Sequence, residues 1–318
     1  MVSILMASYN GEKYISKQID SLLAQTFRDF RLYIHDDSST DDTLQIIKKY
    51  AEKYPDKIFV KQNDENTGGS KYNNLNMMIE YKDDYILLCD QDDIWLPDKI
   101  EKSFIKIKEM EKEYGSSTPV LVHTDLTVVN DDLDVISSSY EKMSHKDFEK
   151  TRLNYVAALN NAAGCTMIYN RALAELIFAV PASFVMHDWW LTLTAVVYGK
   201  MAALKEPTVF YRQHEGNVKG AKKVLSPGYI FYVLTHLKTM SDLINDSYTQ
   251  ADSFVRLHHD KMTKENLELL TAYASIPTLS RLKRIWTVFK YKTFMHGAAR
   301  KVMQILFLLG NKRQIAKK

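Results

Sequence analysis

Through residues 1–130, short apolar runs rich in β-type residues alternate with stretches whose apolar side chains recur every three or four positions. That alternation restricts the chain to an α/β fold in which a mostly parallel sheet lies between helices. Strands are expected over residues 2–7, 31–35, 58–61, 85–89 and 120–124, and helices over 12–25, 41–53, 70–80 and 97–113. In the first helix Ile15, Ile19, Leu22 and Leu23 share the face that packs on the sheet, and Thr26 and Asp29 turn the chain back. Asp41 is placed to start the second helix, where a carboxylate accepts from unpaired first-turn amides. Residues 131–153 read as a polar connection with some helix. A second stretch from Asn160 holds a strand near 165–169, a helix after Asn170, a helix over 188–198, and strands near 201–204 and 208–212. Past Lys222 only helical patterns remain, so the expected division is an α/β domain over 1–222 and a helical, basic module over 223–318.

With 46% hydrophobic and 25% charged residues in 318, the composition shows no disordered or collagen-like bias, and the sequence shows no obvious internal repeat. Cys89 and Cys165 are the only cysteines; Cys89 closes an apolar run, so a buried thiol is expected and no disulfide. The first ten residues look like an opening strand rather than a signal peptide, and residence in the cytoplasm is expected. No run approaches the roughly 18–20 apolar residues of a membrane span; residues 302–309 are too short and include Gln304. Net charge is only +3, yet residues 281–318 hold eleven Lys or Arg and no Asp or Glu. The remainder of the chain is therefore net acidic.

Residues 86–98 read Ile-Leu-Leu-Cys-Asp-Gln-Asp-Asp-Ile-Trp-Leu-Pro-Asp, a strand that stops at three carboxylates, Asp90, Asp92 and Asp93. Acidic side chains two apart at a strand's carboxyl end can hold a hard divalent ion while a phosphate completes its shell, although such a run is also an ordinary turn. Three further loops leave the first three strands at the same edge: residues 7–11 with Tyr9, residues 36–41 with Asp37, and residues 63–71 with Gly68, Gly69 and Lys71. Tyr9 can stack on a nucleobase, Asp37 can accept from an imide N–H, and paired glycines let backbone approach a diphosphate. Each feature alone is commonplace; it is their shared edge that argues for one crevice.

On these residues the chain resembles a family 2 glycosyltransferase with the GT-A nucleotide-sugar-binding fold, a Rossmann-like sheet flanked by helices. The resemblance covers about residues 1–220 and rests on residues 2–11, 22–26, 36–41, 66–69, 90–97, 164–166 and 187–190. It implies that Tyr9 and Asp37 hold the base, that Asp90 positions ribose and diphosphate, that Asp92 ligates Mg²⁺ or Mn²⁺, and that Asp188 is the catalytic base. Ala7, Gly68 and Lys71 join the nucleotide-sugar-binding set. Where many relatives carry Thr, Ala7 has no side-chain donor, so backbone must replace any hydroxyl contact there.

The chemistry asks for such groups independently. Departure of a nucleoside diphosphate requires charge neutralisation, and an acceptor hydroxyl must lose its proton to a base within hydrogen-bond reach. Asp188, between His187 and Trp189-Trp190, is that candidate, and a helix-capping role is compatible with it. A single displacement then inverts the anomeric centre. The Tyr211-Arg212-Gln213-His214 cluster offers Arg212 for phosphate and His214 for the metal or the diphosphate. It resembles the donor-closing segment of rhamnosyltransferase-like members, which implies dTDP-rhamnose as donor, with a UDP-hexose as the alternative.

In the basic tail Leu279, Leu282, Ile285, Trp286 and Phe289 fall on one arc, which packs on the globule or lies on a membrane. No nucleic-acid-binding motif accompanies it, and an anionic inner leaflet carrying a lipid-linked glycan acceptor suits it better, with a homo-oligomer contact as the competing reading. The expected function is metal-dependent, inverting transfer to a bacterial surface polysaccharide or lipid-linked glycan. A non-catalytic nucleotide-sugar-binding scaffold and a nucleotidyltransferase are the competing classes.

Overall fold

A computed structural model of the chain describes residues 1–214 and 237–310. The described residues form two compact units. The first comprises Met1–Tyr140, Ala162–Val180 and the described part of Gly199–Ala221; the second comprises Glu141–Asn161, Pro181–Tyr198 and the C-terminal helices. Two segments that precede residue 222 in the chain thus fold with the C-terminal helices, while the expected boundary after residue 222 lies outside the described residues.

The strands of the first unit are β1 (Val2–Ser8), β2 (Phe30–Asp36), β3 (Ile58–Gln62), β4 (Tyr85–Asp90), β5 (Ile94–Trp95), β6 (Val120–Val129), β7 (Val135–Ser137), β8 (Met167–Asn170) and β9 (Lys200–Arg212). They form one sheet in the order β3-β2-β1-β4-β8-β6-β9-β5, with β7 on β6. The helices α1 (Ile15–Leu23), α2 (Thr43–Lys53), α3 (Ser70–Glu80) and α4 (Lys99–Tyr114) follow the first four long strands. Ile4, Leu5 and Met6 on β1, like Leu87 on β4, are inaccessible to solvent, as expected of central strands covered on both faces. In α1, Ile15, Ile19 and Leu22 are buried as their spacing predicts. Asp41 accepts from the Thr43 backbone N–H at 3.0 Å, so it organises the entry to α2 although the helix itself begins at Thr43.

Two features depart from the expected pattern. β8 enters antiparallel between β4 and β6, where a wholly parallel sheet would set β6 beside β4. Asn170 holds it there: its Oδ1 accepts from Val120 N at 2.9 Å, and its Nδ2 donates to Thr118 O at 2.9 Å. Secondly, the strands expected near 201–204 and 208–212 are one strand, β9, whose register with β6 slips after Thr124, opposite Pro207. Proline lacks the N–H that a regular ladder needs, so a bulge absorbs it without ending the strand.

In the second unit, helix His187–Tyr198 is anchored by its rings. Trp189 donates its indole N–H to Val156 O at 2.7 Å, and Trp190 packs 5.1 Å from the Phe254 ring. In helix Arg281–Tyr291 the buried positions are Arg284, Thr287 and Val288, whereas Leu282, Trp286 and Phe289 of the expected apolar arc face solvent, so of the two readings of that arc these three residues do not follow packing on the globule. Both cysteines are buried and free, and among the described residues no helix is long and apolar enough to cross a membrane.

Burial holds three histidines neutral, lowering their pKa values from 6.5 to about 4 for His35 and His258 and about 3 for His296. Because the unfolded chain binds these protons first, stability is full above pH 6.5 and is lost as pH falls toward the folded values. Each pH unit in that window costs up to about 1.4 kcal/mol per histidine. Thermal melts at neutral pH and near pH 5 should therefore show a marked drop in Tm; a flat profile would contradict neutral burial.

Candidate active site

Parallel pairing brings the loops of the first unit together. Ala7 on β1 lies opposite both Asp90 on β4 and His35 on β2, and Ser8 lies opposite Asp36. The three chain segments that leave these strands therefore start side by side at one sheet edge. They are also bonded across: Tyr9 N donates to Gln91 Oε1 at 3.0 Å, and Gln91 Nε2 donates to Tyr9 O at 2.8 Å. The Tyr9 ring, 46% exposed, is left open for a planar partner.

Gly11 is required by this brace, since a Cβ there would sit 2.3 Å from Gln91 Oε1. Gly11→Ala should push Gln91 out, break both bonds and lower stability by about 1 kcal/mol, as expected for exposed hydrogen bonds. Gln91→Ala should cost about the same, and the double substitution no more than either alone. Denaturant unfolding of the three variants measures this, and additive losses would show that the clash lies elsewhere.

Asp37 is buried and held rigidly. Its carboxylate accepts from Asn63 Nδ2 at 2.8 Å, Thr67 N at 2.9 Å and Thr67 Oγ1 at 2.9 Å. A carboxylate held by three donors keeps its direction, which suits recognition of a base N–H. The same clamp draws in the 63–71 loop, where Gly68 (φ 93°) and Gly69 (φ 128°) take backbone angles that side chains disfavour before α3 begins at Ser70. Lys71 lies in the first turn of α3, its ammonium 4.8 Å from the Tyr72 ring.

At the end of β4 the carboxylates divide. Asp90 and Asp92 are half-buried, whereas Asp93 is fully buried. Among the described residues, ligand atoms of Asp90, Asp93 and Cys165 lie within 4.8 Å of one another. Burial, then the charges of Asp92 and Asp90, raise the Asp93 pKa well above the usual carboxylate range, and Asp93 Oδ1 accepts the Arg212 backbone N–H at 3.2 Å. Burial likewise pushes the Cys165 thiol up, so it stays protonated and is a poor ligand for a hard cation. Behind them Lys99 is fully buried 4.5 Å from the Trp95 ring, with burial bringing its pKa down to about 8.

Asp92 and His214 are hydrogen-bonded to each other, Oδ2 to Nε2 at 2.8 Å, and both carry atoms that could ligate a divalent ion in place of that bond. Two neighbouring ligands of an octahedral ion with bonds of about 2.1 Å sit about 3 Å apart, so the pair fits one. The His214 ring stacks on Tyr14 at 4.6 Å, and the Arg212 guanidinium covers the same ring at 5.1 Å. Arg212 donates Nε to Asp92 O at 3.0 Å and Nη1 to Asp131 O, bonds that shape the carboxylate turn.

Asp188 belongs to the second unit. It is half-buried in the first turn of helix His187–Tyr198, and its Oδ1 accepts Trp189 N at 2.6 Å. The first unit thus brings together Ala7, Tyr9, Asp37, Asp90, Asp92, Arg212 and His214 through strand register and direct bonds. Gln91, Asn63, Thr67 and Tyr14 support them and were not singled out as site residues from sequence, whereas Asp93 stood among the three carboxylates expected near a cation. For Tyr14 no local signal exists.

Residues 3–177 match the family described as Glycosyl transferase family 2. The chain is 28% identical over 227 residues to the dTDP-rhamnosyl transferase RfbG of Shigella flexneri, covering 68% of this chain and 74% of that protein. It is 30% identical over 225 residues to the UDP-Glc:alpha-D-GlcNAc-diphosphoundecaprenol beta-1,3-glucosyltransferase WfaP of Escherichia coli, covering 70% and 81%. Among solved structures, S. aureus TarS 1–349 in complex with UDP-GlcNAc matches with a TM-score of 0.56 at 19% identity, covering 98% of this chain and 91% of that one. At that identity the likeness speaks for the fold.

Proposed function

Because the chain belongs to glycosyl transferase family 2, and is therefore a glycosyltransferase, we propose that it transfers a sugar with inversion from a nucleotide-sugar to a hydroxyl of a surface-polysaccharide precursor or lipid-linked glycan. Rhamnose from dTDP-rhamnose is the donor we favour, acting at the inner face of the bacterial cell membrane. The observation that carries the reading is the register of β1, β2 and β4, which sets Tyr9, Asp37, Asp90 and Asp92 at one edge. A base stacks on Tyr9 with its imide N–H on Asp37, and backbone around Ala7 and Gly68, with Lys71 and Asp90, receives ribose and diphosphate. Arg212 supports this arrangement by fixing the backbone of the carboxylate turn. A Mn²⁺ or Mg²⁺ ion held by Asp92 and His214 would supply the charge neutralisation that a leaving diphosphate needs. Asp188 takes the proton of the acceptor hydroxyl as its oxygen attacks the anomeric carbon from the face opposite the leaving group.

The relative named a dTDP-rhamnosyl transferase favours thymidine, whereas the relative named for UDP-Glc favours the second reading, a UDP-hexose donor. Thermal-shift titrations with dTDP-rhamnose and UDP-glucose, each with Mn²⁺, separate them. The expected result is a rise of Tm with the thymidine donor that grows with its concentration, since ligand at about 100 times its Kd adds about 2.7 kcal/mol. A shift with the uridine donor alone would move the assignment to the second reading, and a shift with neither would remove the nucleotide-sugar site.

A further inference from the structure

Two C-terminal helices of the second unit are built inside out. In Arg281–Tyr291 the buried positions are Arg284, Thr287 and Val288, while Leu282, Trp286 and Phe289 are 81%, 60% and 56% exposed. In Ala298–Leu309 the buried positions are Arg300, Gln304 and Leu308, while Val302, Leu306 and Leu309 are 57%, 55% and 46% exposed. Each outward stripe has the same spacing, three large apolar side chains over two turns on one face.

The orientation is pinned by the polar side chains turned inward. Arg300 Nη2 donates to Ser144 O at 2.8 Å. Gln304 donates to Thr293 O at 3.0 Å and accepts from Met295 N at 3.0 Å, while Arg284 Nε donates to Leu279 O at 2.9 Å. Rolling either helix to bury its apolar stripe would break these bonds and expose or orphan their partners. The outward apolar face is thus the one the fold maintains, and water is a poor medium for it.

Charge identifies the medium. Residues 281–318 contain eleven Lys or Arg and no Asp or Glu, and Lys283, Lys290 and Lys301 stand exposed beside the stripes. The Lys290 ammonium lies 5.1 Å from the Trp286 ring, a cation next to an apolar anchor, and also pairs with Glu268 Oε1 at 3.1 Å, so Lys283 and Lys301 carry the unshared part of the charge argument. A second copy docked on this face would bring two cationic rims together, whereas an anionic lipid surface offers acyl chains to the stripes and phosphates to the lysines. We propose that these two helices seat the protein on an anionic bilayer leaflet, with Leu282, Trp286, Phe289, Val302, Leu306 and Leu309 entering the acyl boundary. The proposal rests on the transferase reading only for its purpose, presenting the enzyme to a lipid-borne acceptor.

Trp286 makes the test direct, because Trp95, Trp189 and Trp190 are at most 3% exposed and the chain has four tryptophans. Mixing the full chain with phosphatidylcholine vesicles with and without phosphatidylglycerol, in the absence of nucleotide-sugar, should give co-sedimentation and a blue shift of tryptophan emission only with the anionic lipid. Trp286→Ser with Leu306→Ser should reduce vesicle affinity at least about ten-fold without changing Tm, and Lys283→Gln and Lys290→Gln should each reduce it about five-fold. Absence of binding to anionic vesicles, or binding indifferent to these substitutions, would overturn the proposal. So would a concentration-dependent dimer in sedimentation velocity that Trp286→Ser with Leu306→Ser disperses, because the face would then belong to a second copy. Donor-driven thermal shifts are read without vesicles, so either result leaves the transferase reading to its own test.

Discussion

Asp188→Asn is expected to lower kcat by about 10²–10⁴-fold, the usual contribution of a general base, with donor binding and Tm close to those of the parent protein. The fold should survive because Asn keeps an oxygen for Trp189 N, which Asp188 Oδ1 accepts at 2.6 Å. The helix is held in any case by the Trp189 indole on Val156 O and by Trp190 against Phe254. What Asn lacks is the charge and basicity to take a proton from an acceptor hydroxyl. Steady-state turnover beside a thermal melt measures the split between chemistry and stability. Turnover near the parent level would remove Asp188 from the base role and assign proton removal to another group.

Asp92→Asn should cost at least about 10²-fold in turnover, more than the 10–100-fold typical of losing a partner that merely orients a ligand. The amide retains the size of the carboxylate and can still meet His214 Nε2, now 2.8 Å from Asp92 Oδ2, so packing should change little. The negative charge that draws a hard cation is gone. A readout independent of activity is Mn²⁺ binding followed by calorimetry, which should weaken in Asp92→Asn and in His214→Ala. If Mn²⁺ affinity and turnover both stayed at the parent level in Asp92→Asn, the ion would have to be assigned to other donors, with Asp90 and Asp93 next in line.

Much of the architecture was readable along the chain because the signals are local. Alternation of period near 2 with period near 3.6 located β1–β4 and α1–α4 within a residue or two at most ends, and α3 over residues 70–80 to the residue. The acidic run after β4 and the loops after β1 to β3 could be placed at one edge because parallel strands connected by helices must present their carboxyl ends together. The placement of Tyr9, Asp37, Asp90 and Asp92 at that edge was therefore legible along the chain. Arg212 and His214 were also visible as a polar cluster closing a strand.

Other parts depended on contacts between residues far apart in sequence, which periodicity cannot encode. Nothing local says that Asn170 will clamp to Val120 and so insert β8 antiparallel, or that Tyr14 will lie under His214. The same holds for Gln91 reaching back to Tyr9, and for the Asn63 and Thr67 donors that fix Asp37. Helix Arg281–Tyr291 illustrates the limit most clearly. Its apolar arc was plain in the sequence, yet which arc turns inward was settled by what packs there: Arg284 finds a carbonyl, and Trp286 is left outside. Local backbone preference and side-chain period are properties of neighbouring residues, so they are written in the chain. Burial, and the hydrogen bonds that compensate it, belong to surfaces that exist only once distant segments have met.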